Sequence, residues 1–159
     1  MKKSEKRNEV MDEKLKLGVI MVGLNQKVVE VYRTFAAVIS DENLRKFLRM
    51  LLEHKEAAQK IIRENIALLN GMDDNDGQLA EQIRGIEAGR LPIDRYRELP
   101  KIDFLHNLAE YEREMEKFLD RCYRESEATE REDLLYSLLE DTKKQRALLR
   151  DRYELEQLL

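Results

Sequence analysis

The chain has 159 residues, of which 39% are charged and 42% are apolar, with two prolines and a net charge of −4. This length is typical of one domain with a real core, and the composition favours an all-helical protein. Basic residues near residue 150 are interleaved with acidic ones, which argues against a nucleic-acid surface, and the single cysteine, Cys122, excludes an internal disulfide bond.

Residues 1–14 are predicted to form a charged, flexible arm, followed by one domain at 15–159. The apolar run 17–24 is too short to span a bilayer, and it follows acidic residues instead of the basic segment of a signal peptide. We therefore expect a cytoplasmic protein with no membrane segment, in which Cys122 is a buried, inert thiol.

The first predicted helix covers about residues 15–39. Gly18 and Gly23 lie inside it at a cost in helix stability, so we expect a neighbouring helix to approach closely at these positions. The segment 40–43 breaks the pattern and offers capping residues for the next helix. The apolar face of the first helix, with steps of three and four, is formed by Leu17, Met21, Leu24, Val28, Val31, Phe35 and Val38.

The second predicted helix covers about residues 42–70 and ends at Asn70-Gly71. Residues 71–102 hold four of the six glycines and both prolines, a composition typical of a connection. We expect this connection to be a long crossover with a short helix at about 78–88. A third helix is predicted at about 103–126. The fourth predicted helix begins at the capping-box pattern Thr129-x-x-Glu132 and ends at about Leu158.

The two halves of the chain repeat one pattern at an offset of 87 residues, so that Leu17 aligns with Phe104. Without any gap, the Leu-Leu-Glu sequence at 51–53 then aligns with an identical sequence at 138–140. Two copies of a helical hairpin joined by a crossover predict an antiparallel four-helix bundle.

Polar residues near these apolar faces are informative, because an unpaired polar group is costly to bury. Asn25 and Glu112 occupy equivalent positions before the two hairpin turns. With a rise of about 1.5 Å per residue, positions 54–58 and 141–145 return to the same height. The sequence therefore predicts one polar layer in the middle of the bundle.

From about residue 15 to residue 155 the chain resembles a rubrerythrin-type, ferritin-like domain, most closely in the run 112–119. In that family a glutamate precedes an aromatic pair by six and seven residues on a ligand-bearing helix. The resemblance implies a ferritin-like fold and a di-iron centre held by one glutamate from each of two helices and a Glu-x-x-His motif from each of the others. Carried over to this sequence, these positions are Asn25, Glu112, Lys55-x-x-Ala58 and Thr142-x-x-Gln145.

Only Glu112 retains its expected identity, so too few anionic ligands remain for a conventional di-iron centre. One alternative is a reduced or shifted site for iron or another divalent metal, formed by Glu112, His54 and Asp141 and completed by Gln145 or water. Such a site would belong to an oxidoreductase or an iron-handling protein.

The favoured alternative is a layer without metal, because charges inside helical bundles are normally paired. In this interpretation His54 and Asp141 form a buried hydrogen-bonded pair, and Glu112 turns towards Lys55 or Tyr32. The chain would then be a non-catalytic structural or interaction protein that needs no cofactor. Ferritin-like bundles commonly pair along helix faces, so the resemblance implies a homodimer, and an unidentified protein partner could dock on Leu155, Leu158 and Leu159.

Overall fold

A computed structural model describes residues 16–71 and 100–159, and within these ranges every regular element is an α-helix. The all-helical class is therefore confirmed. The predicted arm at 1–14 and the predicted short helix at 78–88 lie outside the described residues. Among the described helices, none combines the length and apolar character needed to cross a membrane. The helices are α1 (Leu17–Val38), α2 (Glu42–Glu64), α3 (Ile66–Asn70), α4 (Lys101–Glu125) and α5 (Thr129–Leu158).

The start of α2 is fixed by Asp41, one of the capping residues that the segment 40–43 offers. The Asp41 side chain accepts a hydrogen bond of 3.1 Å from the backbone N–H of Leu44. It also forms a 3.0 Å ion pair with Lys101 Nζ, which ties the start of α2 to the start of α4. The Leu44 N–H and the Lys101 ammonium lower the pKa of Asp41 below its ordinary value.

The second predicted helix is divided in two at Asn65. The backbone of Asn65 leaves the helical region, with φ −117° and ψ 21°, and its side-chain amide donates a 2.9 Å hydrogen bond to the carbonyl oxygen of Ile61. Such a local side-chain bond competes with the regular helical ladder. The helix resumes as α3 and ends at Asn70, before Gly71, as predicted.

The two glycines of α1 differ in their surroundings. A Cβ atom on Gly18 would lie 2.6 Å from both Asn70 Oδ1 and the Ile66 carbonyl oxygen, so α3 does approach closely there, as expected. A Cβ atom on Gly23 would meet nothing within 4 Å in residues 16–71 and 100–159, and the prediction of a close approach by one of the described helices at this position is wrong. Gly23 faces solvent, where only the helix propensity of glycine counts.

The predicted capping box of the last helix is not formed. Ala128 is the N-cap of α5, no side chain caps this end, and Thr129 is already the first helical residue. Because a capping side chain must belong to the extended residue before the helix, a shift of one position removes Thr129 from that role. The first turn of α5 is instead joined to α3 by Arg131, whose Nε donates a 2.8 Å hydrogen bond to the Leu68 carbonyl oxygen.

Two apolar clusters form the core, at opposite ends of the helices. The first cluster contains the start of α1 and the end of α4, whereas the second contains the end of α1 and the start of α4. The two helices therefore run in opposite directions, while α2 and α4 run in the same direction. The first cluster comprises Leu17, Met21, Leu24, Ile62, Leu69, Met115, Phe118, Leu119, Cys122, Leu135, Leu138 and Leu139. The second cluster comprises Val28, Val31, Tyr32, Phe35, Ala36, Ile39, Leu44, Leu48, Leu51, Phe104, Leu105, Leu108 and Leu149.

Candidate functional site

Between the two apolar clusters lies a layer of buried polar side chains, which we call the polar layer. Every one of the four long helices contributes to it, at the point in each helix where one cluster ends and the other begins. A buried polar layer at this height is what the sequence predicts, although some of its members differ. The polar layer consists of Asn25, Lys55, Gln59, Glu112, Thr142 and Gln145.

The centre of the polar layer is an ion pair between α2 and α4. Lys55 Nζ lies 2.7 Å from the carboxylate of Glu112, and the exposed fractions of the two side chains are 7% and 0%. The hydroxyl of Tyr32, on α1, donates a 3.2 Å hydrogen bond to the same carboxylate. The prediction that Glu112 turns towards Lys55 or Tyr32 is thus confirmed, and it contacts both.

Burial strongly affects the pKa of Tyr32, which contacts the Glu112 carboxylate together with Lys55. Its pKa is raised well above the ordinary value, first because burial disfavours the phenolate, and then because Glu112 places a negative charge and a hydrogen-bond acceptor beside it. The phenol therefore stays protonated at neutral pH and serves as a hydrogen-bond donor to the carboxylate. One carboxylate is thus held by one ammonium and one phenol.

Amide side chains connect α1 to α2 on one side of this ion pair. Asn25 Nδ2 donates hydrogen bonds to the Lys55 carbonyl oxygen at 3.2 Å and to Gln59 Oε1 at 2.8 Å. Gln59 Nε2 in turn donates to the Val22 carbonyl oxygen at 3.2 Å. Sequence reasoning missed Gln59, although its position four residues after Lys55 places it on the same helix face.

The α5 side of the polar layer is also hydrogen-bonded. Gln145 Nε2 donates to the Leu51 carbonyl oxygen of α2 at 3.2 Å, and Thr142 Oγ1 donates to the Leu138 carbonyl oxygen one turn earlier at 2.9 Å. Gln145 is therefore buried as predicted, but it contacts backbone and not a carboxylate. Its hydrogen bond links the two hairpins at the level of the ion pair.

His54 and Asp141 are both exposed, so the prediction that they form a buried pair is wrong. Each precedes a residue of the polar layer, and one residue along a helix turns the side chain by about 100°. Lys55 and Thr142 point inwards, which leaves His54 and Asp141 at the surface.

The structure does not bring Glu112 together with His54 and Asp141. Across residues 16–71 and 100–159, no group of three or more histidine, cysteine or acidic side chains could hold a metal ion. The described residues therefore show no common centre for Glu112, His54, Asp141 and Gln145, and a metal site formed by them remains a prediction.

The donor set of the polar layer does not fit a di-iron centre. The positions that the family resemblance assigns to ligands are indeed buried or half-buried, so they lie where ligands would have to lie. They offer a single carboxylate, Glu112, and the ammonium of Lys55 contacts it. A divalent cation there would face a fixed positive charge at a site that needs several anionic ligands.

Comparisons with protein-family models, with curated proteins and with solved structures find no match to this chain. A function has to be inferred from the chemistry of its own side chains, because a fold alone does not specify one.

Proposed function

We propose that this chain is a ferritin-like four-helix bundle in which an ion pair stands where relatives of that type hold metal. In this proposal it acts in the cytoplasm as a non-catalytic structural or interaction protein. The observation that carries the proposal is the 2.7 Å contact between Lys55 Nζ and the Glu112 carboxylate. Lys55 occupies a position where the family resemblance implies a glutamate ligand, and its ammonium supplies the positive charge that a metal would supply.

The directions of the helices support the ferritin-like part of the proposal. The end of α2 and the start of α4 belong to opposite apolar clusters, and the two helices run in the same direction. The connection between them must therefore join opposite ends of the helices. Two antiparallel hairpins joined by one such crossover define the ferritin-like connectivity.

The chemistry of the polar layer supports a structural role. Its amides, hydroxyls and charges are joined to one another or to backbone carbonyl oxygens across the four long helices α1, α2, α4 and α5. A buried network whose members are paired specifies one register of the helices, because any shift would leave polar groups unpaired in the core. The ion pair thus fixes the fold without an exchangeable ligand.

Metal analysis of the purified protein tests the proposal directly. The chain is purified without chelator, and iron, manganese and zinc are measured per chain, followed by thermal unfolding with and without added Fe(II). We expect less than stoichiometric metal and an unchanged melting temperature. Stoichiometric metal that is lost in Glu112→Ala but kept in Glu110→Ala, an exposed control on the same helix, would instead favour the alternative of a rubrerythrin-like metal-binding protein with a reduced site.

Rebuilding the ligand set tests the ferritin-like arrangement itself. A variant with all expected ligands restored should bind about two irons per chain. A control variant that keeps Lys55 but carries the other four substitutions should bind less, because the ammonium remains in the site. Failure of the complete variant to bind iron, with its helical content retained, would contradict the ferritin-like arrangement. The substitutions are Asn25→Glu, Lys55→Glu, Ala58→His, Thr142→Glu and Gln145→His.

The proposed interaction surface lies near the end of α5. Leu155, Leu158 and Leu159 are 47%, 85% and 90% exposed, which is unusual for large apolar side chains. We propose that they contribute to a homodimer or to a contact with another protein. In analytical ultracentrifugation, the combined substitution Leu158→Ser and Leu159→Ser should shift the chain from dimer to monomer. A wild-type monomer, or a variant that stays dimeric, would contradict the homodimer.

A further inference from the structure

A cavity of about 390 Å³ opens between α2 and α5, and side chains of α1 and α4 form its floor. This volume lies within the range of small-molecule sites, about 300–1,000 Å³. The half-buried Ala58 and the exposed Ala57 line the α2 side, where their small side chains leave space between the two helices. The ion pair of the polar layer borders the cavity only through Lys55, because Glu112 does not line it.

The cavity has one apolar part and one polar part. The apolar part belongs to the first cluster, and it is rich in methionine and leucine, whose flexible side chains adapt to a ligand. The polar part contains inward-facing members of the polar layer and three charged or titratable side chains at the mouth. The apolar part is formed by Met21, Ile62, Met115, Leu119 and Leu138, and the mouth by His54, Asp141 and Lys144.

The N–H donors that line the cavity favour a ligand group that accepts hydrogen bonds, such as a carboxylate. The ammonium of Lys144 and that of Lys55, which already contacts Glu112, line it together with the carboxylate of Asp141. Lys144 and His54 are exposed, and neither forms a hydrogen bond or an ion pair with another described residue. An ammonium has three N–H donors, so Lys55 also retains donors beyond its bond to Glu112.

We infer that this cavity binds an aliphatic monocarboxylate, with its hydrocarbon chain along the apolar part and its carboxylate between Lys144 and Lys55. A cationic amphiphile would meet the exposed ammonium of Lys144, and an uncharged one would leave that ammonium without a partner among the described residues. Burial of the hydrocarbon chain supplies most of the binding free energy, because each CH₂ group that enters the apolar part leaves water. The lysines supply the selectivity for the head group. The inference does not depend on the ferritin-like assignment, because it uses only the cavity and its lining.

Isothermal titration calorimetry of the full chain with three probes of equal chain length tests this inference. The probes are dodecanoate, dodecanol and dodecyltrimethylammonium, with the two ionic probes kept below their micelle concentrations and dodecanol kept below its solubility limit. We expect dodecanoate to bind with one site per chain, at least about tenfold more tightly than dodecyltrimethylammonium, a difference of about 1.4 kcal/mol. Absence of dodecanoate binding, equal binding of the cationic probe, or several equivalent sites per chain would overturn the inference.

Two variants locate the binding to this cavity. Lys144→Glu should weaken dodecanoate binding about tenfold and leave dodecanol unaffected, whereas Lys143→Glu, at an exposed neighbour that does not line this cavity, should change neither. Ala57→Phe should block the cavity and abolish binding of both probes. Circular dichroism checks that each variant folds, and Lys144→Glu decides the question alone if Ala57→Phe does not fold. Equal effects of the Lys144 and Lys143 variants would refute the assignment.

Discussion

The ion pair between Lys55 and Glu112 can be tested by substitution, because both charges are almost entirely removed from water. At a separation of 2.7 Å the attraction between two unit charges is about 6 kcal/mol for an effective dielectric constant of about 20. The cost of removing both charges from water is of similar size, so the intact pair adds little net stability. If one partner is removed, the charge that remains is still buried away from water but no longer has an opposite charge to offset that cost.

We therefore expect Lys55→Met or Glu112→Leu each to lower the free energy of unfolding by about 3–5 kcal/mol. For a chain of this size that corresponds to a fall in melting temperature of about 6–20 °C. The double variant should lose only about 1–3 kcal/mol, the cost of leaving the hydroxyl of Tyr32 unpaired, and adding Tyr32→Phe should remove most of that loss.

The assay is denaturant unfolding of all four variants, with an exposed pair as the control. Arg33 and Glu56 form an ion pair between α1 and α2, at 3.1 Å, but their side chains are 58% and 46% exposed. Arg33→Ala should cost no more than about 1 kcal/mol. The reasoning is refuted if the single substitutions at Lys55 and Glu112 cost as little as this control, or if their costs add in the double variant.

Three further predictions follow from local geometry and from pKa values. In thermal unfolding, Gly18→Ala should destabilise the fold by about 1–3 kcal/mol because α3 leaves no room for a Cβ atom, whereas Gly23→Ala should stabilise it by about 0.5–1 kcal/mol. Because the pKa of Asp41 is lowered in the fold, its charged carboxylate stabilises the fold at pH values above the unfolded-state pKa of about 3.9. This stabilisation is lost as the pH falls through the folded-state pKa. The variant Asp41→Asn should therefore lose less stability in acid than the wild type does. Because the pKa of Tyr32 is raised in the fold, its protonated phenol contributes stability that is complete below about pH 10 and is lost as the pH rises from there towards the folded-state pKa. The variant Tyr32→Phe should therefore lose less stability in alkali than the wild type does. The control Tyr136→Phe, at an exposed site, should not show this difference.

Each of these predictions has a clear contrary result. Equal effects of alanine at Gly18 and Gly23 would mean that α3 does not pack tightly against α1. An unchanged acid limb in Asp41→Asn would show that the N-cap and the neighbouring ammonium do not favour the charged carboxylate. An alkaline limb that responds equally to the two tyrosine variants would show that Tyr32 is not buried beside Glu112.

Much of the fold can be predicted from the sequence, because it depends on local rules. The periodic apolar residues predict the long helices to within a few residues, and a cap within 40–43 and the helix end at Gly71 follow from residue type. The errors occur where a local pattern has more than one outcome. Gly23 costs the same helix stability as Gly18 but has no close neighbour among the described helices, and Thr129 has capping chemistry but lies one position inside the helix.

For the candidate site, periodicity predicts the height of the polar layer but not its full membership. His54 and Lys55 are adjacent polar residues, and a sequence pattern does not say which of two neighbours about 100° apart faces inwards. The tertiary structure makes that choice, since Lys55 in the core meets the carboxylate of Glu112 on α4 and a buried charge needs a partner. Because Lys55 faces the core, the preceding residue His54 faces outwards. It therefore lies at the mouth of the cavity and is exposed to solvent.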